Sequence, residues 1–411
     1  MRSEKVWNNI SRINTTYNFV REWGIRGAIL LVAVALGAAQ TISVKSSGAV
    51  GDGATDDSPA LQACIDDSPE GATIDFGGSS NVYFIGTSLW LAPNRTYSGA
   101  ATILLSAQAP ADTGMMRTRY GQSDNIRIEG LTLDAHGIAG AILLAVGGDS
   151  LLPARNVTIT GCVFRNTRSP LEGGWQSAVY TPVGLDGGSI SSNHFVNCGA
   201  GIYLSNPNRL AVTANDFDTI TNHNAIFLAF QPAAFETGKA LSISGNTGRN
   251  LQRMAIELWG GGGTAPEAPE IDGNVFSSWS PLTGGEGFGI SVVTANRPRI
   301  TNNELTGGVG PLGIELGAAG ATVIGNHLTG FQSGIVLQHG CSGSVIRDNV
   351  LEGQQSEGIL FSNAAGQKDS VRVISNRIVN PQQTGIMVNT TRWPSVEISN
   401  NTVVRSGGFW P

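Results

Sequence analysis

From residue 190 to the C-terminus, apolar and polar positions recur in one short phrase: two aliphatic-rich strand positions, a bend, then asparagine. It reads ISSNHF from Ile190, VTANDF from Val212, ISGNTG from Ile243, IDGNVF from Ile271 and ITNNEL from Ile300. It continues as VIGNHL from Val323, IRDNVL from Ile346, VISNRI from Val373 and ISNNTV from Ile398. The asparagines stand at 193, 215, 246, 274, 303, 326, 349, 376 and 401, spaced by 22 to 31 residues. A period in this range marks a solenoid, whose units bury their apolar faces on one another.

A second phrase follows each asparagine by about ten residues: GIYL at Gly201, AIFL at Ala225, AIEL at Ala255, GISV at Gly289, GIEL at Gly313, GIVL at Gly334, GILF at Gly358 and GIMV at Gly385. Its period of two predicts strands with Ile and Leu inward and the residue between them outward. Each coil then supplies three strands, with an Asn turn after the first. Asn tolerates the left-handed backbone of a tight bend, and its amide can bond its counterpart one coil away. The pattern predicts an all-β chain, a single-stranded right-handed parallel β-helix with coils about 4.8 Å apart. Helical repeats of similar length are disfavoured by the β-branched strands and abundant Gly. IRIEGLTL from Ile126 and VTITGCVF from Val157 fit the same frame with Leu131 and Cys162 at the Asn position, and AILL at Ala141 and AVYT at Ala178 supply their third strands.

The ends differ. Arg12, Arg21 and Arg26 precede an apolar run from Ala28 to Ala39, too short for the ~20 residues of a membrane span. Gly37-Ala38-Ala39 resembles a cleavage site, so residues 1–39 read as a signal peptide and 40–411 as the β-helix domain, with 40–99 its cap and first coils and 100–411 its repeat coils. An uncleaved short anchor is the alternative. The mature chain would carry 20 basic and 29 acidic residues and no basic run, which excludes nucleic acid and anionic membrane as partners. Cys64, Cys162, Cys198 and Cys341 lack metal-site spacing and read as single buried thiols, with a Cys162–Cys198 bridge as the alternative.

Between leader and coils runs VKSSGAVGDGATDDSPALQACID, residues 44–66. With its Gly-Asp-Gly, Asp56-Asp57 and following amphipathic segment, it resembles the opening of the pectate-lyase-like proteins, a superfamily of polysaccharide-acting β-helices. Together with the Asn and Gly-Ile coils, the resemblance covers residues 43–411. It implies export, the β-helix fold and a polysaccharide partner. Read from the residues, Ser58 or Asp57 N-caps a short helix near 57–66 with Pro59 at its first position and Leu61, Cys64 and Ile65 on one apolar face. That helix would cover the open end of the solenoid. Asp52, Asp56 and Asp57 are read as turn and capping carboxylates.

Outward residues at equivalent positions of a stacked sheet form columns. The column between the inward aliphatics is expected to hold Leu143, Tyr180, Tyr203, Phe227, Glu257, Ser291, Glu315, Val336, Leu360 and Met387, and the next column brings in Trp259. Tyr180, Tyr203, Phe227 and Trp259 would stack on sugar rings, unless loops fold over them as a satellite core. The longest loops border these same coils. Glu257 and Glu315 are two coils apart, about 9.6 Å, near the separation of an acid and a base in inverting glycosidases. They are the catalytic candidates, with desolvation beside Phe227 and Trp259 expected to suit one of them as the acid. Asp186, His223, Arg253 and Glu286 complete the substrate-binding candidates.

The family pattern does not transfer residue by residue. Polygalacturonase-type relatives carry catalytic Asp and His two positions before the inward Ile, where this chain has Ala200, Asn224, Met254, Phe288, Leu312, Ser333, Glu357 and Thr384. The expected activity is a secreted or periplasmic glycoside hydrolase needing no cofactor or metal. A polysaccharide lyase or epimerase using Arg253, and a non-catalytic carbohydrate-binding or adhesive β-helix, stay open, as does assembly into a homo-oligomer.

Overall fold

The computed structural model describes residues 40–110, 114–138, 141–149, 151–167, 177–279, 287–308, 312–338, 340–362, 370–388, 393 and 395–405. The expected leader (1–39) and Glu286 lie outside them. The described chain winds through three parallel sheets of 15, 14 and 12 strands. One coil shows the plan: Ser242–Ser244 in the first sheet, Thr247–Leu251 in the second, Ile256–Gly260 in the third. The next coil repeats it with Glu270–Asp272, Val275–Trp279 and Phe288–Val292. Each strand pairs in parallel with its counterpart one coil on, Ile243 with Ile271 and Ile256 with Ile290. A chain cannot return to a parallel position without a crossover, and here the other two strands of the coil are that crossover.

The core is a set of columns. Ile243, Ile271, Ile300 and Val323 face inward from the first sheet, Leu305, Leu328 and Leu351 from the second, and Ile256, Ile290 and Ile314 from the third, all buried. Phe164, Phe195 and Phe217 stack face to face, with centroids 5.1 and 4.7 Å apart. Each such residue contributes about 1.5–3 kcal/mol by leaving water.

The asparagine column stands where the repeat places it, but the bend works differently from the expectation. The left-handed residue is the one before each asparagine: Ser192, Ala214, Gly245, Gly273, Asn302, Gly325, Asp348, Ser375 and Asn400. The asparagines keep ordinary backbone and turn their amides into the coil. Asn246 donates through Nδ2 to Asn274 Oδ1 at 2.8 Å and to Val212 O at 2.9 Å, while Asn274 Oδ1 also accepts from the Asn246 amide N–H at 3.0 Å. The same bonds join every pair of neighbours from Asn193 to Asn401, and Cys162 occupies the column above Asn193, to whose Oδ1 its N–H donates. A corner buried inside a coil exposes backbone groups to no water, and the side-chain amide satisfies them.

The glycine that opens most third-strand phrases has a separate cause. A Cβ at Gly313 would lie 2.3 Å from Gly334 O, and one at Gly358 would lie 2.6 Å from Gly385 O. Backbones there approach too closely for any side chain.

Near the N-terminus a helix (Ser58–Asp67) buries Leu61, Cys64 and Ile65 as expected, with Asp57 at its N-cap position. The Asp57 carboxylate instead accepts from Val50 and Gly51 N–H, and Asp56 takes over at the helix start, accepting from Ser58 N–H and Oγ. Gln62 on this helix exchanges two bonds with the backbone of Trp90, accepting from its N–H at 2.8 Å and donating to its carbonyl at 3.1 Å. One side-chain amide thus completes the edge strand Leu89–Leu91 of the third sheet, as a neighbouring strand would. All four cysteines are free and buried, so the alternative Cys162–Cys198 bridge does not form; burial pushes the Cys162 thiol up to about 11.

Candidate functional site

Register fixes the outward column of the third sheet rung by rung. It runs Trp90, Arg117, Ala145, Tyr180, Tyr203, Phe227, Glu257, Ser291, Glu315, Val336, Leu360 and Met387. The expected order holds from Tyr180 onward. Upstream it is corrected: Ala145, not Leu143, is the neighbour of Tyr180, and Leu143 is buried. The run AILLAV offers two phases of equal hydrophobicity, and the chain takes the one that buries both Leu143 and Leu144.

Four aromatic rings follow one another along this face. Tyr180 and Tyr203 centroids are 5.3 Å apart, Tyr203 and Phe227 4.8 Å, Phe227 and Trp259 6.5 Å. Tyr180 and Tyr203 are half-buried and Trp259 is 40% exposed, but Phe227 is covered. His223, in the turn before Ile226–Phe230, packs beside Tyr203 (6.3 Å) and Phe227 (5.2 Å). Burial raises the hydroxyls of Tyr180 and Tyr203 above their ordinary range, so both stay protonated donors.

Glu257 ends this aromatic run and is not the solvent-facing residue its outward position predicts. It is 6% exposed. Its Oε2 accepts from Asn224 Nδ2 at 2.5 Å and from Arg253 at 3.4 Å. The Arg253 guanidinium also reaches Asn224 Oδ1 at 3.2 Å and His223 Nε2 at 3.4 Å, and its backbone carbonyl is held by Trp279 Nε1 at 2.9 Å. Burial first, and then the Arg253 charge, push the His223 imidazole down to about 4. His223, Asn224, Arg253 and Glu257 are therefore one connected group beneath the rings. Two rungs on, Glu315 is half-buried and accepts from Ser291 Oγ at 2.7 Å and Gln338 Nε2 at 3.0 Å.

Of the other candidates, Asp186 stands apart. It lies on Leu185–Ser191 of the first sheet, ion-paired with Arg209 and bonded by Asn208, so it braces that sheet and does not face the rings. Asn224, which links Arg253 to Glu257, and Trp279, which anchors Arg253, were not candidates in the sequence. Asn224 does occupy the position two before an inward Ile, a usable signal. Among the described residues no three His, Cys, Asp or Glu side chains gather as a metal site, and no helix is long and apolar enough to cross a membrane.

Comparison with known proteins agrees with the winding. A family model described as right handed beta helix region matches residues 233–410. Among solved structures, the A-module of a mannuronan C-5 epimerase from Azotobacter vinelandii superposes with a TM-score of 0.58 at 19% identity, over 89% of this chain and 100% of that one. The catalytic unit of a thermostable GH87 alpha-1,3-glucanase from Streptomyces thermodiastaticus gives 0.63 at 12% identity, over 89% and 69%. A surface adhesin of Streptococcus pneumoniae, PfbA, gives 0.54 at 14% identity, over 90% and 93%. At these identities the shared property is the fold. No curated protein matches the chain by sequence.

Proposed function

We propose that this chain, whose fold is the right-handed parallel β-helix of the pectate-lyase-like superfamily, is an exported carbohydrate-active enzyme that lays a polysaccharide along its third sheet and hydrolyses it. The observation that carries this reading is the aromatic run Tyr180–Tyr203–Phe227–Trp259 ending on the buried, hydrogen-bonded carboxylate Glu257. Aromatic faces hold sugar rings, and a desolvated carboxylate beside them is placed for chemistry. Fold-mates that act on glycans, the glucanase and the epimerase, are consistent with it.

Glu257 and Glu315 are separated by one rung, that of Ser291, which sets their backbones about 9.6 Å apart, near the upper end of an inverting pair. Two donors, Asn224 and Arg253, point at Glu257 and suit it to accept a proton from water. The acid role then falls to Glu315, the reverse of what the aromatic surroundings of Glu257 suggest in the sequence. Glu257→Gln and Glu315→Gln should each lower kcat at least about a hundredfold. Glu257→Gln should also cost about 1–3 kcal/mol of stability, because it removes the buried carboxylate that accepts from Asn224 and Arg253. Anomeric NMR of early products should show inversion. Near-normal turnover in both variants sinks the assignment.

A second reading draws on one observation, the contact of Arg253 with His223 beside Tyr203. A guanidinium facing a uronate carboxylate, with a neutral imidazole to take the ring proton, would carry out elimination or epimerisation. An unsaturated uronate among the products, seen by its ultraviolet absorbance, would favour that reading over hydrolysis. Glycan binding with no product at all would favour the adhesive one.

A further inference from the structure

The outward column of the third sheet has a gap. Between Arg117 and Tyr180 it holds Ala145, and the neighbouring Gly114 and Gly147 add no side chain either. The gap is a cleft of about 460 Å³ lined by Trp90, Arg117, Arg119, Tyr120, Tyr180 and Pro182. It lies four rungs from Glu257, on the N-terminal side of the aromatic run.

Its walls combine rings with positive charge. The Arg117 guanidinium lies over the Trp90 ring at 4.4 Å from its centroid and Arg119 at 5.5 Å. Such stacking fixes a guanidinium in place without using its hydrogen-bond donors. Among the described residues neither arginine has a carboxylate within ion-pair distance, and the buried Nε of Arg117 makes no hydrogen bond there. The acidic residue next to Gly147 and Gly148 is Asp149, and its carboxylate is taken by the Leu151 and Leu152 amides. In a chain of net charge −6, two arginines held against a tryptophan with no ion-pairing acid among the described residues are poised for an external anion. Tyr120, 71% exposed, stands by Tyr180 at the opposite wall. The strand that carries Trp90, Leu89–Leu91, is the one locked to the cap helix through Gln62, so the cleft sits on a fixed edge.

We infer that the cleft over Ala145 binds one anionic pyranose residue, its ring seated between Trp90 and Tyr180 and its acid group held by Arg117 and Arg119. This deepens the proposed function by naming an acidic glycan as the ligand class. It rests on the reading that the third sheet carries glycan, and not on the roles of Glu257 and Glu315. A carboxylate (uronate) and a sulfate ester present the same chemistry to two guanidiniums.

The test uses the full chain and tryptophan fluorescence titration with three probes: a galacturonate oligomer, a sulfated neutral oligosaccharide and an uncharged glucan oligomer. One or both anionic probes should bind at least tenfold more tightly than the glucan, with affinity falling as salt rises. Whichever binds names the acid group. Arg117→Gln/Arg119→Gln should remove that preference, and Ala145→Phe should abolish binding with both arginines kept, which guards against a double variant that fails to fold. Glu257→Gln should bind the probe as wild type does even where turnover is lost, which separates failure of the cleft from failure of the proposed reaction. Equal affinity for charged and uncharged probes, absence of binding by all three, or an unaffected Ala145→Phe variant would overturn the inference.

Discussion

His223 shows how one side chain ties the site to the stability of the fold. Burial and Arg253 hold its imidazole near 4 in the folded chain, against an ordinary value of 6.5. The unfolded chain therefore takes up a proton below pH 6.5 that the folded chain refuses until about 4. Its contribution to stability is complete above pH 6.5 and shrinks as pH falls toward 4, by at most about 3 kcal/mol at 1.36 kcal/mol per unit. Urea unfolding at pH 7 and at pH 4.5 should give a smaller difference in His223→Gln than in wild type; equal pH dependence in the two proteins would count against a buried neutral imidazole. Much of this site could be read from the chain. Glu257, Phe227, Tyr203 and Trp259 fall out of a period-two phrase, and Arg253 is four residues from Glu257. The burial of Glu257 and Phe227 could not be read, because outward on a β-helix means exposed only where no neighbouring loop or turn closes over the face. Trp90 and Arg117 escaped because their strands, LWL and GMMRT, lack the Ile-x-Leu signature.

At the scale of the element, the asparagine column is the feature whose loss should be felt most. Asn274 accepts two bonds from Asn246 and donates to Ile243 O and Asn303 Oδ1. Asn274→Ala strands buried partners on both adjacent rungs, each costing about 1–3 kcal/mol, so a loss of about 3 kcal/mol or more is expected. Asn401→Ala, at a partly exposed end of the column, should cost about 1 kcal/mol. Denaturant midpoints of the two variants measure the contrast, and equal shifts would mean that the column contributes nothing through burial. Asparagine was legible because each rung needs the same amide at the same corner. The left-handed residue before it was not, since Ser, Ala, Gly, Asn and Asp all serve there and blur the signal.

Across the whole molecule, each coil touches the coil before and the coil after, and the backbone bonds of all three sheets join neighbouring rungs along the winding axis. The Asn amides lie along the same line: from Asn193 to Asn376 each donates one bond to the next asparagine and one back to a carbonyl of the preceding rung. That alignment has a mechanical consequence. A pull on Gln40 and Arg405 along the axis loads the rungs in series, like links of a chain, so the least stable rung yields first while the rest hold. Each opened rung of 22 to 31 residues should release about 75–110 Å of chain. Single-molecule extension should therefore give a staircase of such steps; one rip releasing the entire length would mean that the rungs share load instead. Under tension this chain behaves as a spool that pays out one turn at a time.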